Sequence, residues 1–307
     1  MTNEIEALIA GLSQPQKSIA PKYFYDETGS GLFEEITALP EYYLTATELG
    51  IMGNHVDEIA ALVGPQASLI EFGSGSSVKT RMLLEHLDEL AAYVPVDISE
   101  EHLLESQRSI RAAFPHLEVL PVVADFTHPF SLPAPATMPL RNVVYFPGST
   151  IGNFEYDDAV DLLRVMHEEA GDGGALLIGV DLQKDPAVIH DAYNDSAGVT
   201  ARFNLNMLRH LNREFGSDFE LGAFRHRATY DPDEGRVAIE LVSARQQTAH
   251  LGGATILLDK GETILTEYSH KYTLDGFAAM AGVAGFTVSK AWTDPNQWFS
   301  VQLLLRV

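Results

Sequence analysis

The chain contains no cysteine. Disulfides, zinc–thiolate centres, iron–sulfur clusters and thiol nucleophiles are therefore excluded at once. Basic side chains are scarce: 20 Lys and Arg stand against 43 Asp and Glu, a formal net charge of −23. A surface of that sign repels phosphate backbones and anionic membranes, so neither nucleic acid nor membrane is an expected partner. Neutral or cationic small molecules suit the field better. Long apolar runs are also missing. The run Gly174–Val180 falls far short of the ~20 residues that a membrane-spanning helix needs. The first residues, MTNEIEALIAGLSQ, hold two glutamates and no basic cluster, unlike a targeting peptide, so the expected compartment is the cytoplasm. None of the 11 histidines forms H-E-x-x-H or H-x-H. The group His167-Glu168-Glu169 falls on an expected helix, where adjacent residues point different ways. No metal site is expected.

What is present is the composition of a soluble globular protein: 307 residues, 46% hydrophobic and 21% charged. That length suits one large domain or two ordinary ones. The middle of the chain alternates apolar strands with helical patterns, the mark of a parallel sheet covered by helices. Strands are expected at Ser68–Phe72, Tyr93–Val96, Glu118–Val123, Asn142–Phe146 and Ala175–Val180. Helices are expected at Lys79–Leu90, after Ser99 as N-cap, and at Asp157–Ala170. The pattern then changes. Val188–Ala197 and Ala201–Phe215 look helical, and Phe224–Tyr230 and Arg236–Ser243 flank a turn like a hairpin. Further strand is expected at Thr255–Leu258 and Thr263–Tyr272. A helix at Leu274–Ala284 and strands at Phe286–Ala291 and Trp298–Arg306 close the chain. A βαβ domain is thus interrupted by an α+β block, and the N-terminal ~48 residues fit neither half.

The first strand runs into Glu71-Phe72-Gly73-Ser74-Gly75-Ser76-Ser77-Val78-Lys79. Glycines at a strand-to-helix turn let backbone amides approach a ligand closely. Val78 occupies the third glycine position of the dinucleotide fingerprint, so G-x-G-x-x-G is incomplete and a hydride-transfer enzyme is disfavoured. E-x-G-x-G instead resembles the first motif of S-adenosylmethionine (SAM)-dependent methyltransferases. Asp97, ending the second strand, is placed to accept from ribose hydroxyls. Asp125 and Phe126, ending the third, suit an adenine amino group and the face of the base. Taken singly, Gly73 and Gly75 could be only a tight turn and Asp97 only a helix cap. Three such elements at three successive strand ends point to a cofactor.

Several stretches resemble one family along nearly the whole chain, in order. They are PKYFYD (21–26), Gly29-Ser30 with Leu32-Phe33, LPEYY (39–43), EFGSGSSVKTR (71–81), GSTIGN (148–153), Ala192-Tyr193, AGVT (197–200), Leu265-Thr266-Glu267 with Ser269, and WTDP (292–295). Together they resemble the histidine-specific Nα-methyltransferases of the ergothioneine pathway. The resemblance implies an α/β fold: a Rossmann-like class I SAM methyltransferase domain with a discontinuous second α+β substrate domain. Residues 49–182 and 272–307 would form the SAM domain, and 1–48 and 183–271 the substrate domain. It implies SAM as cofactor and trimethylation of L-histidine to hercynine. Carried over residue by residue, Gly73, Gly75, Lys79, Asp97, Asp125 and Phe126 match the cofactor contacts. Tyr42, Asn153, Tyr193, Glu267 and Ser269 match the histidine contacts. Tyr25 and Asn153 are the residues implied nearest the chemistry. The resemblance breaks at Ile239, where the family places a methionine against the substrate. Two residues apart on a strand, Glu267 and Ser269 share a side, and His270 points away.

Other readings stay open at this stage. A same-fold methyltransferase could act on tryptophan, histamine or a histidine derivative, with Ile239 the suspect. A non-catalytic SAM-binding module is the other class, disfavoured by an amino-acid pocket that a sensor does not need. A monomer is expected.

Overall fold

The computed structural model describes residues 2–74 and 78–307. From the N-terminus the chain forms helix α1 (Thr2–Leu12), the short strand β1 (Lys17–Ser18), and helices α2 (Glu27–Thr37) and α3 (Tyr43–Val63). Strand β2 (Ala67–Phe72), helix α4 (Val78–Leu84), strand β3 (Ala92–Asp97), helix α5 (Glu100–Ala113) and strand β4 (Val122–Val123) follow. Next come β5 (Arg141–Phe146), α6 (Tyr156–Ala170), β6 (Ala175–Asp181), α7 (Pro186–Tyr193) and α8 (Val199–Phe215). A run of strands succeeds them: β7 (Phe224–Asp231), β8 (Arg236–Ser243), β9 (Gln247–Leu251), β10 (Ala254–Leu258) and β11 (Thr263–His270). The chain closes with α9 (Leu274–Val283), β12 (Phe286–Thr293) and β13 (Phe299–Arg306).

Two compact units divide these elements: residues 1–43 with 184–270, and 44–183 with 271–307. The second unit holds a seven-stranded sheet in the order β12-β13-β6-β5-β2-β3-β4. Six strands run in one direction, and β13, paired antiparallel with both β6 and β12, runs against them. This is the Rossmann-like class I arrangement. Strand order reverses at β2, which pairs with β3 on one side and β5 on the other, and such a switch point opens a crevice at the carboxyl ends of the strands. β2 and β6 are buried at every position, as expected of parallel strands covered on both faces. The stripe Ala159, Leu162, Leu163, Met166 and Ala170 of α6 packs into the same core as Val144, Phe146 and Ile178.

Three expectations change in this unit. The helix expected to reach Leu90 stops at Leu84. Leu87 is still buried, but Glu89 takes a left-handed φ of 58° to feed β3, so a turn occupies the last positions. The third strand shrinks to Val122–Val123, preceded by a single bridge between Tyr93 and Val119. Helix α3, for which the sequence reading names no element, is 21 residues long and buried along Leu44, Ile51, Met52, Val56 and Ile59.

The first unit contains the sheet β1-β11-β8-β7, antiparallel except for the β1–β11 pair, and a separate hairpin β9–β10. Its core joins Phe24 and Ile36 to Phe203, Met207, Leu208 and Leu211 on one face of α8. Asp195 starts α8: its carboxylate accepts from the backbone N–H of Val199 (2.7 Å) and Thr200 (2.8 Å), satisfying first-turn donors that the Gly198 N-cap cannot. Burial alone would raise the Asp195 carboxyl, but these bonds and the Thr200 hydroxyl outweigh it and hold it below its usual value.

Candidate active site

In the first unit, α2 begins at Asp26, whose Oδ1 accepts from Gly29 N (2.7 Å) and from Asn206 Nδ2 (2.7 Å). Arg213 Nη2 lies 2.9 Å from Oδ2. Burial favours the neutral acid here, yet the bonds from Gly29, Asn206 and Arg213 win and lower its pKa. This anchor fixes the residue before it, Tyr25, which caps the one-turn helix Pro21–Phe24.

Tyr25 lines a cavity with Tyr42, Tyr193, Ile239 and Glu267; Phe33, Phe203, Thr200 and Asn204 complete most of the wall. Its volume is about 40 Å³, more than the ~10–15 Å³ a single water requires. Aromatic edges run around it. The ring of Tyr25 stands edge-on to Phe33 (5.9 Å), Phe33 to Tyr42 (6.5 Å), and Tyr42 to Tyr193 (6.3 Å). Although 43% of Tyr25 stays exposed, burial of its hydroxyl, then the charge of Glu267 and the nearby Tyr42, raise its pKa well above the ordinary tyrosine value. Tyr25 is therefore a protonated phenol at neutral pH: a hydrogen-bonding group, not a phenolate base.

Glu267 reaches this face through an irregularity. β11 pairs with β8 as Ile264↔Leu241 and Leu265↔Glu240, then resumes at Glu267↔Ile239 and Ser269↔Val237. Thr266 is the extra residue of a β-bulge, and its hydroxyl donates to Ile239 O (2.9 Å). Strict alternation from buried Ile264 would send Glu267 and Ser269 to the opposite face. The bulge turns both back toward Ile239 and Val237. Tyr268 and His270 are left on the other face, their rings 5.9 Å apart.

Ser269 is buried and shares a 2.8 Å hydrogen bond with the Tyr193 hydroxyl. Tyr193 is held from behind as well. His226 Nε2 lies 2.8 Å from Tyr193 O, and Nδ1 lies 2.9 Å from Asn204 Nδ2. Because the amide nitrogen donates, Nδ1 must accept and Nε2 must carry the proton. Burial, opposed by the Tyr193 bond and Asp195, lowers the His226 pKa and keeps the ring neutral. Asn204 Nδ2 also donates to Glu240 O (3.0 Å), while its buried Oδ1 has no hydrogen-bond partner.

In the second unit, Gly73, Asp97, Asp125 and Asn153 all follow carboxyl ends of parallel strands. Gly73, with φ +77°, donates its N–H to Val96 O (2.8 Å). A Cβ there would lie 3.7 Å from Phe126 Cε1, so bare backbone faces an aromatic edge. Gly75 lies outside the described residues. Asp97 Oδ1 accepts from Ser99 N (2.9 Å), and Asp125 Oδ1 accepts from Thr127 N (3.0 Å) and its hydroxyl (2.6 Å). Phe126 leans on Phe72 (5.5 Å) and Phe146 (5.8 Å). A half-buried glycine backbone, two carboxylates and a ring edge suit the nucleoside part of SAM. Asn153 ends the turn Thr150–Asn153, entered through Ser149 in the left-handed region (φ 57°). Lys79 pairs with Glu48 of α3, so its ammonium has an internal partner.

The sequence reading passes over Glu48, Asn204 and His226. Two of these carry a legible signal: Glu48 sits on the apolar stripe Leu44–Ile51–Met52, and Asn204 sits beside the apolar face of α8. Nothing marks His226. Among the described residues no cluster of three metal-ligating side chains occurs, and no helix is long and apolar enough to cross a membrane.

A family model described as "Histidine-specific methyltransferase, SAM-dependent" matches residues 4–306. The chain is 39% identical to a histidine N-alpha-methyltransferase of Mycolicibacterium smegmatis, over 97% of this chain and 93% of the relative. Identity is 37% to the protein of that name from Mycobacterium tuberculosis, covering 96% and 92%. It is 33% to "Ergothioneine biosynthesis protein 1" of Neurospora crassa, covering 89% of this chain but 32% of that longer protein.

Proposed function

Since the chain belongs to the SAM-dependent, histidine-specific methyltransferase family, we propose that it methylates the α-amine of L-histidine three times, giving hercynine for ergothioneine synthesis. The observation that carries the reading is the cavity joining Tyr25, Tyr42, Tyr193 and Glu267 beside Ile239. Glu267 accepts from an imidazole N–H, a charge-assisted bond, and Ser269 is aligned on the same face by its bond to Tyr193. Tyr42 and Tyr193 serve the carboxylate. Asn153 binds the amino-acid head group by donating and accepting. We assign the cofactor to the unit 44–183 with 271–307, and the cavity of Tyr25, Tyr42, Tyr193 and Glu267 to the unit 1–43 with 184–270.

SAM supplies an electrophilic methyl group on a sulfonium, and the transfer is an in-line displacement. The chain's task is alignment, which can supply a large share of the rate. The amine must be neutral when it attacks. Tyr25, kept as a phenol, orients the amine through its hydroxyl and passes the released proton to solvent rather than holding it. The cationic product is compatible with the charge of Glu267 and with the acidic protein as a whole.

The test is mass spectrometry of the purified protein with SAM and a mixture of the twenty amino acids plus histamine. Histidine alone gaining three methyl groups supports the proposal. Methylation of another compound would reassign the substrate, with Ile239 the first residue to exchange. SAM binding with no methylation would favour a binding module.

A further inference from the structure

Glu48 is the least expected charge in the second unit. It lies on the buried stripe of α3 and is 1% exposed. An acid in that position is costly unless it is paired and hydrogen-bonded. It is both. Lys79, near the start of α4, donates its ammonium to Oε2. Gly148, the first residue of the GSTIGN loop after β5, directs its N–H at both carboxylate oxygens, 3.0 Å from each.

The surroundings are shaped to this carboxylate. A Cβ on Gly179 of β6 would come within 2.2 Å of Glu48 Oε1, so the strand must be bare there for the acid to fit. Gly148 itself has φ +81°, and a Cβ on it would lie 3.5 Å from Lys79 Nζ. The neighbouring Tyr145 hydroxyl is buried without a partner, and burial, then the charges of Glu48 and Glu71, push its pKa well up. One carboxylate thus joins three segments far apart in sequence: α3, the helix that follows the Gly73 turn, and the loop that ends in Asn153.

We propose that Glu48 is a positioning residue for methyl transfer, setting Lys79 and the Gly148–Asn153 loop in one geometry at the cofactor edge of the sheet. This rests on the reading that Lys79 belongs to the SAM site and Asn153 to the amino-acid site. A buried ion pair replaced by apolar groups often costs little stability, so its retention is better explained by the conformation it specifies. Glu48→Gln is the informative change. It keeps the shape and an acceptor for Gly148 N–H but removes the charge that holds Lys79.

The experiment measures SAM affinity by calorimetry, kcat and KM for both substrates, and the melting temperature, for wild type, Glu48→Gln, Lys79→Met and the double variant. The expected result is a Glu48→Gln protein that melts within a few degrees of wild type. A displacement of about 1 Å can cost on the order of 100-fold in rate, so kcat and SAM affinity should fall by roughly 10- to 100-fold. The double variant should be no worse than Lys79→Met alone, because the two act as one unit. A Glu48→Gln protein with lowered melting temperature but SAM affinity and kcat within about twofold of wild type would overturn the proposal, leaving Glu48 a purely structural residue. If Glu48→Gln does not fold, Glu48→Asp, which keeps the charge but withdraws it, is judged by the same two readouts. SAM affinity needs no substrate, so this arm still reads if wild type proves inactive on histidine, an outcome that removes the functional reading and not the role of Glu48.

Discussion

Glu267 stands directly across from Ile239, and it does so only because Thr266 is an extra residue in β11. Ile264 and Glu267 are three apart, so an unbroken strand would put them on opposite faces. The bulge makes them share one. A carboxylate is thereby presented on the inner face of the sheet beside an apolar side chain, the combination a cavity needs to hold one polar edge of a flat ring. Bulges that re-aim a side chain are common beside sites for this reason.

Removing the Glu267 carboxylate should separate substrate from cofactor. A hydrogen bond to a charged group contributes about 1.5–3 kcal/mol, so Glu267→Ala should raise the KM for histidine by roughly 10- to 150-fold. Calorimetric affinity for SAM should stay within about twofold. Equal loss of both would remove Glu267 from histidine recognition.

The pair Tyr193–Ser269 makes a smaller, structural prediction. Tyr193→Phe leaves buried Ser269 without this partner, a penalty of about 1–3 kcal/mol. For a protein of this size that corresponds to a melting temperature lower by roughly 1.5–5 °C. Scanning calorimetry checks it, and Tyr193→Phe with Ser269→Ala together should recover part of the loss. No recovery would mean the two hydroxyls are energetically independent.

Much of the sheet is legible because buried parallel strands read as short apolar runs: β2, β5 and β6 fall within a residue of the expected limits. β8 matches at both ends, since a turn and alternating burial bound it. What stays hidden depends on partners distant in sequence. Leu87 and Leu90 continue a helical pattern, yet the chain must turn at Glu89 to enter β3. QTAHL is too short and polar to announce β9, which exists through β10. The residue types of the cavity are visible in motifs, but its closure is not. Asn204 is placed by His226 and Glu240 O, and the bulge at Thr266 has no sequence mark at all.

Lys271 and Asp181 form a fully buried ion pair at 2.7 Å. Breaking one side of such a pair strands a charge, typically at about 3–5 kcal/mol. Lys271→Met should therefore lower the denaturant midpoint markedly, and Lys271→Met with Asp181→Asn should regain most of it. If the double variant is as unstable as the single, the pair contributes through packing and not through charge.

Stability should also respond to pH through Glu71. This residue is buried beneath the Gly73 turn, where Thr80 donates to Oε1 (2.7 Å) and Tyr93 to Oε2. Burial raises its pKa to about 7, against the opposing pull of Tyr93, Thr80 and Lys79. The folded state therefore holds this proton more tightly than the unfolded chain, whose carboxyl titrates near 4.5. Between those values the native state binds more protons, so stability falls as pH rises. The contribution is complete below about 4.5 and lost above about 7. Glu71→Gln cannot ionise, and its amide can still accept from one hydroxyl and donate to the other. The melting temperature of Glu71→Gln minus that of wild type should thus increase from pH 5 to pH 8, by several degrees if most of the shift is expressed. A constant difference across that range would show that Glu71 titrates alike in both states, and the Thr80 and Tyr93 bonds would then suffice to keep it ionised under the Gly73 turn.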